Sequence, residues 1–274
     1  MATEAPENKL DLSERELEEA ESRSAVSAMV VHGAIRREGE QELQRPSSAL
    51  FWSGLAAGLS MGFSLVGEGL LRSRLPDQPW RPVVSKLGYS FGFLLVILGR
   101  QQLFTENTLT PILPLMLHRS REVFCNVVRL WAVVLISNLI GALIFAWAVG
   151  NTAAFQPAVR EAFRQIGHES LSVGFGNALL RGIFAGWLIA FMVWLLPYAE
   201  AFRIVVIVAL TWLVGLGQLT HVIAGSVEVL YLAVTGEASF WQVLSGYMAP
   251  TLIGNCFGGV ALVAALNHAQ VVSG

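Results

Sequence analysis

The chain has 274 residues, 54% hydrophobic and 14% charged, with a mean hydropathy of +0.57 and a net charge of −2. Soluble domains carry about 25% charged residues, and apolar runs of about 18 residues or more mark spanning helices. An ordinary soluble domain is therefore excluded, and the composition predicts an all-α, multi-pass membrane protein set in a lipid bilayer.

The first 45 residues read as a polar, acid-rich arm. Ser13 and Glu16 fit a capping box, and Leu17, Ala20, Ala25, Val26, Met29 and Val30 form a partial apolar stripe. The pattern predicts a helix, solvated or lying on the membrane face or a neighbouring subunit, that ends at Pro46. Residues 46–267 hold six apolar segments. The first runs from about Ala49 to Leu71. The second starts near Val83, breaks after Gly99 and resumes through Leu117. The third covers about Phe124 to Val149 and the fourth about Val173 to Leu196. The fifth starts near Ile204, weakens at "GLGQLTHVIAG" and resumes through Val234. The sixth covers about Tyr247 to Asn267, leaving 268–274 as a short tail. Cys125 and Cys256 fall within or beside apolar segments and read as small buried hydrophobes. The sequence shows no nucleotide-binding loop and no metal-ligand spacing, so no cofactor, metal or nucleic-acid partner is expected.

Three spans repeat in order. "SGLAAGLSMGF" (53–63) matches "RGIFAGWLIAF" (181–191), and "SNLIGALIF" (137–145) matches "GNCFGGVAL" (254–262). The second and fifth spans are both interrupted at mid-length. An odd number of spans per repeat places the halves in opposite orientations, as in channels and transporters. Non-helical backbone cannot face lipid, so the two breaks mark a pathway. Glu106, Asn107 and Thr105 lie in the first break and Thr220 and His221 in the second; ionisable groups at such depth are usually functional. Glycines four residues apart in the first, fourth and sixth spans read mainly as helix-contact positions, with Gly186 and Gly225 also read as pore-facing.

"LFTENTLT" after a glycine-rich half-helix, "SNLIGALIF", a histidine in a broken fifth span, and "APTLIGNCFGGVALVA" together resemble the formate/nitrite transporter family, over about Pro46 to Asn267. The resemblance implies an aquaporin-like fold and a homopentamer with one pore per subunit. It also implies passage of small monovalent anions or weak acids, often with protons, and two cytoplasmic termini. Thr105 matches the family's loop threonine, His221 its central histidine, and Leu103 and Phe104 apolar residues of a constriction. The histidine, with its unperturbed pKa of about 6.5, is the implied proton partner. The chain departs from the family's pattern in several places. Gly186 and Gly225 stand where asparagines are common, Thr220 where an acid often precedes the histidine, and Ser48 and Ser170 where vestibule lysines align. Glu106 and Arg181 add charges in or near the pathway. Glu106 is expected to pair with Arg100, to bind backbone N–H groups, or to cap the half-helix that follows. Arg181 is expected near one mouth.

Three other readings remain open at this level. A neutral-solute channel or a non-conducting membrane sensor would keep the fold. An intramembrane serine hydrolase would use Ser60 of "GLSMG" with His221, but a nucleophile elbow needs a strand-to-helix turn and Ser60 lies mid-helix, so no enzyme is expected.

Overall fold

A computed structural model describes residues 27–273. The capping box and apolar positions expected before residue 27 lie outside the described residues. All the secondary structure described is helical.

Helix α1 (Ala28–Gln44) starts where the Ser27 hydroxyl accepts the Val30 N–H. It buries Val31, His32, Ile35, Gly39 and Leu43, while Met29 and Val30 of the expected stripe are exposed. The buried positions recur at helical spacing, so one face of α1 seats on the bundle. Gly39 lets it approach closely, because a Cβ there would overlap the Thr110 carbonyl.

Then come α2 (Ser47–Arg74), α3 (Arg81–Leu98), α4 (Ile112–His118), α5 (Arg121–Asn151) and α6 (Pro157–Leu171). They are followed by α7 (Phe175–Leu195), α8 (Arg203–Leu216), α9 (Ala224–Val234) and α10 (Phe240–Ser273). Helices α2, α3, α5, α7 and α10 are long and apolar enough to cross a membrane, while α8 and α9 are shorter apolar helices. The sequence reading has no counterpart for α6. It is amphipathic and short, opens on Pro157, and buries Val159, Ala162, Phe163 and Ile166. Residues 268–273 of the expected tail are helical and continue α10. Cys125 is exposed on α5 rather than buried, and Cys256 is half-buried.

Helix α2 packs on α5 and α7 on α10. The closest approaches fall on the repeated glycines. A Cβ on Gly58 would meet the backbone of Asn138, and one on Gly186 the backbone of Asn255. Gly141 and Gly258 answer from the opposite helices, against Leu55 and Leu59 and against Ile183 and Trp187. Small residues are what allow helix backbones to meet in an apolar medium.

Both half-helices end the same way. The Gly99 N–H bonds to Leu95 O at 3.0 Å and the Gly217 N–H to Leu213 O at 2.9 Å. Arg100 and Gln218 then take positive φ values of 50° and 49°, and Gln101 and Leu219 reach back five residues to Val96 and Val214. The backbone beyond each end is held by an asparagine. Asn138 Oδ1 accepts the Phe104 N–H at 2.9 Å, and its Nδ2 donates to Gly54 O and Gln102 O at 2.8 and 2.9 Å. Asn255 Oδ1 accepts the Val222 N–H at 2.9 Å, and its Nδ2 donates to Gly182 O and Thr220 O at 2.8 and 3.0 Å.

Two outcomes test this packing. A buried polar group left unsatisfied costs about 1–3 kcal/mol, and either asparagine serves three. Asn138→Leu and Asn255→Leu should each lower the thermal midpoint in detergent far more than Ser137→Ala does; equal small shifts would contradict the clamp. The second concerns α1. The His32 Nε2 lies 3.0 Å from His268 Nδ1, and burial, then the neighbouring His268 and Arg36, hold the His32 pKa below its ordinary value. The folded state thus prefers the neutral ring. Its contribution is complete above an unfolded pKa of about 6.5 and is lost as pH falls below that value. Hydrogen exchange across α1, corrected for intrinsic rates, should accelerate from pH 7.5 to 5.5, and His32→Gln should flatten that dependence.

Candidate pore and substrate site

Two cavities face the broken segments from opposite ends. The arm-side cavity, about 300 Å³, is lined by Glu38 and Glu42 of α1, by Arg45 just after it, by Arg100, Gln102, Glu106 and Asn107 of the first break, and by Arg203 of α8. The far-side cavity, about 40 Å³, is lined by Lys86 and Tyr89 of α3, Ser170 of α6, Arg181 of α7, and Thr220, Glu228 and Tyr247.

Between the cavities sits one polar contact. Thr105 Oγ1 and His221 Nε2 are 2.8 Å apart, and both residues are fully buried. Glu106 lines the first cavity and Thr220 the second, so the pair stands one residue in from each. The surrounding wall is apolar. The Phe93 ring meets the His221 imidazole edge-on at 5.0 Å, and Leu103 and Ile223 are fully buried.

The imidazole is held at both nitrogens. His221 Nδ1 accepts N–H groups from Ala224 at 3.1 Å and Ile223 at 3.3 Å. Neutral imidazole has one donor and one acceptor nitrogen, so this network assigns the proton to Nε2, which donates toward Thr105. A proton on Nδ1 would face two backbone N–H groups and break both bonds.

The other expected site residues are distributed as follows. Phe104 is buried, but it packs on Trp131 of α5 at 5.6 Å rather than on the histidine. Phe93 holds that place; the reading in sequence missed it because Phe93 lies in an unbroken apolar run. Asn107 is a loop staple, with Nδ2 donating to Gln102 Oε1 at 2.9 Å, Oδ1 accepting from Thr110, and its carbonyl accepting the Trp131 indole N–H at 2.8 Å. Thr220 donates to Ala178 O at 2.6 Å and borders the far-side cavity. Arg181 lines that same cavity and donates to Gln218 O at 3.4 Å.

Three expectations are corrected. Gly186 is not a pore-facing glycine, since its Cβ direction points at the Asn255 backbone and close helix crossing requires it. Gly225 likewise makes room for the Tyr247 hydroxyl. Glu106 neither pairs with Arg100 nor caps the following turn. Among the described residues its carboxylate has no hydrogen-bond or ion-pair partner, and it faces the arm-side cavity near Glu38 and Glu42. Glu106 opens the short 3₁₀ turn Glu106–Thr108, and the Thr108 hydroxyl donates to Thr105 O at 2.7 Å.

Comparison with known proteins bears on the fold and the family. Inner membrane protein YfdC of Escherichia coli K12 is 43% identical over 257 residues, covering 94% of this chain and 83% of that protein. Uncharacterized transporter YrhG of Bacillus subtilis 168 is 26% identical over 240 residues, covering 82% and 86%. Among solved structures, a pentameric formate channel with formate bound superposes with a TM-score of 0.70 at 20% identity, covering 82% of this chain and 98% of that one. An FNT family ion channel superposes with a TM-score of 0.72 at 15% identity, covering 89% and 98%. The model of the formate/nitrite transporter family matches residues 29–269, and the chain belongs to that family.

Proposed function

We propose that this chain is a channel or transporter for small monovalent anions or their weak acids in a bacterial inner membrane. In this reading it has six spans, α3 with α4 and α8 with α9 each counting as one broken span. It works as a homopentamer with both termini cytoplasmic and one pathway per subunit. The observation that carries the reading is the Thr105–His221 contact, a lone polar pair in an apolar wall between two charged cavities.

An ion pays heavily to leave water for such a wall, whereas a neutral weak acid crosses more easily. His221 serves that passage as a hydrogen-bond donor. The Nε2–H now directed at Thr105 can turn to a solute oxygen, while the Ala224 and Ile223 N–H groups keep Nδ1 unprotonated. Proton coupling in this arrangement does not require the ring to store a proton. The proton that neutralises the solute is better supplied at a mouth. Family membership and the absence of an elbow at Ser60, which lies inside α2, speak against an enzyme.

Uptake into proteoliposomes tests these roles. His221→Phe should reduce weak-acid flux at least tenfold while the assembly elutes unchanged from size exclusion; wild-type flux in that variant removes the central role. Arg181→Gln should lower anion flux at low salt and far less at physiological ionic strength, where the Debye length is about 8 Å, with urea flux unaffected. Glu106→Gln should leave the melting temperature within about a degree, because no bond is lost, and should change the pH dependence or anion preference of flux instead. Loss of stability with unchanged selectivity would restore a structural role for Glu106.

A further inference from the structure

The far-side cavity holds a group of charges that the central pair does not use. Lys86 Nζ lies 2.6 Å from Glu68 Oε1, and the Glu68 carboxylate is fully buried, with its other oxygen lacking any hydrogen-bond partner among the described residues. Glu228 of α9, also buried, accepts a hydrogen bond from the Ser170 hydroxyl at 2.5 Å. Lys86, Ser170 and Glu228 line the cavity together. Four elements bring groups toward Glu228: Glu68 from α2, Lys86 and Tyr89 from α3, Glu169 and Ser170 from α6, and Tyr247 from α10. Glu169 is already matched, since Arg72 donates two hydrogen bonds to it, one of 2.8 Å. What remains among the groups acting on Glu228 is two carboxylates and one ammonium, while Arg181 borders the same cavity and donates to Gln218 O. Buried charge is costly unless balanced, and one proton brings this group to zero net charge.

We propose that Glu228, with Glu68 and Lys86, is a proton-exchange site at the far-side mouth that neutralises an anion before it meets the dry wall at His221. The inference rests on the weak-acid reading above. In the exchange, the O–H bond of the Glu228 carboxyl breaks and the proton passes to an oxygen of the anion, giving the neutral acid and a Glu228 carboxylate. A hydronium ion at the mouth then returns a proton to the carboxylate and leaves as water. Lys86 and Ser170 are positioning residues. The ammonium and the hydroxyl stabilise the carboxylate during the interval in which it is charged. Passage in the other direction reverses each step, so the site accepts the proton released when the acid ionises on leaving.

Two measurements on the full chain in proteoliposomes test this. Formate is the weak-acid probe and urea the neutral one. Glu228→Gln keeps the volume and the Ser170 contact; it should lower formate flux about tenfold near neutral pH and leave urea unchanged. Ser170→Ala should retain flux but move its pH midpoint. Infrared difference spectra between pH 5 and 8 should show a protonated-carboxyl C=O band that is missing in Glu228→Gln. Robust formate flux in the unmodified protein that survives Glu228→Gln overturns the site and leaves the transport reading standing. The same holds if no carboxyl band titrates. A titrating Glu228 band without flux of any weak acid in the unmodified protein overturns the transport reading, and the neutralising role falls with it.

Discussion

Backbone that leaves a helix inside a membrane must find partners for its own N–H and C=O groups, and here two asparagine side chains provide them. A carboxamide has an acceptor oxygen and an NH₂ with two donor hydrogens. Asn138 and Asn255 spend that set identically, taking one N–H from a broken segment and giving to one carbonyl of the break and one of a neighbouring helix. Aspartate would present acceptors to two carbonyls, and leucine would leave the N–H and the carbonyl of the break without the amide that holds them. The reach of the amide also sets how near the helices must come. Gly58 and Gly186, with Gly141 and Gly258 opposite, remove the side chains that would hold the helices apart. The glycine crossings, the breaks and the cavities at their ends therefore depend on one pair of hydrogen-bonded clamps.

Much of this was legible in the sequence because it is repeated there. Asn138 and Asn255 stand at matching places in their spans, as do Gly58 and Gly186, and the two polar interruptions marked where helices stop. Helix ends differed from the reading by a few residues. α10 differed more, because its two π-helical stretches (residues 244–248 and 258–265) carry it from Phe240 to Ser273 past both expected boundaries. What sequence could not supply was direction. Gly186 lies on the predicted helix, yet only the crossing reveals that its open side faces Asn255 rather than a pathway. Glu106 sits in the predicted break, yet only the folded turn reveals that it borders the arm-side cavity. Helix α6 was invisible to a search for apolar runs because only one of its faces is buried.

The charges obey the same division between scaffold and mouth. Arg129 donates to Leu43 O, Arg45 O and Ser47 Oγ, tying α5 to the junction of α1 and α2, so its charge is absorbed by structure. Arg72 and Glu169 neutralise one another between α2 and α6. Lys86 and Arg181 instead border the far-side cavity, and Glu38, Glu42 and Glu106 the arm-side one. Among the described residues no charged side chain lines the wall between them, where His221, Thr105, Phe93 and Leu103 are buried. Such a distribution keeps the charged side chains hydrated or paired at the two ends and leaves the wall between them uncharged.

The repeat also explains why the centre is asymmetric. By hydrogen-bond position, Phe104 corresponds to Val222 and Gln102 to Thr220, so Leu103 corresponds to His221 and Thr105 to Ile223. The two halves use the same backbone scaffold and place different side chains on it. Histidine and threonine come from non-equivalent positions and meet at 2.8 Å, while their counterparts, Leu103 and Ile223, are apolar and fully buried. A symmetric choice would give either two polar pairs at this level of the fold or none. One pair against one apolar counterpart leaves a single polar contact among buried apolar side chains. The repeated clamps hold the backbone open to that choice, and the unlike residues beside them give the site its chemistry.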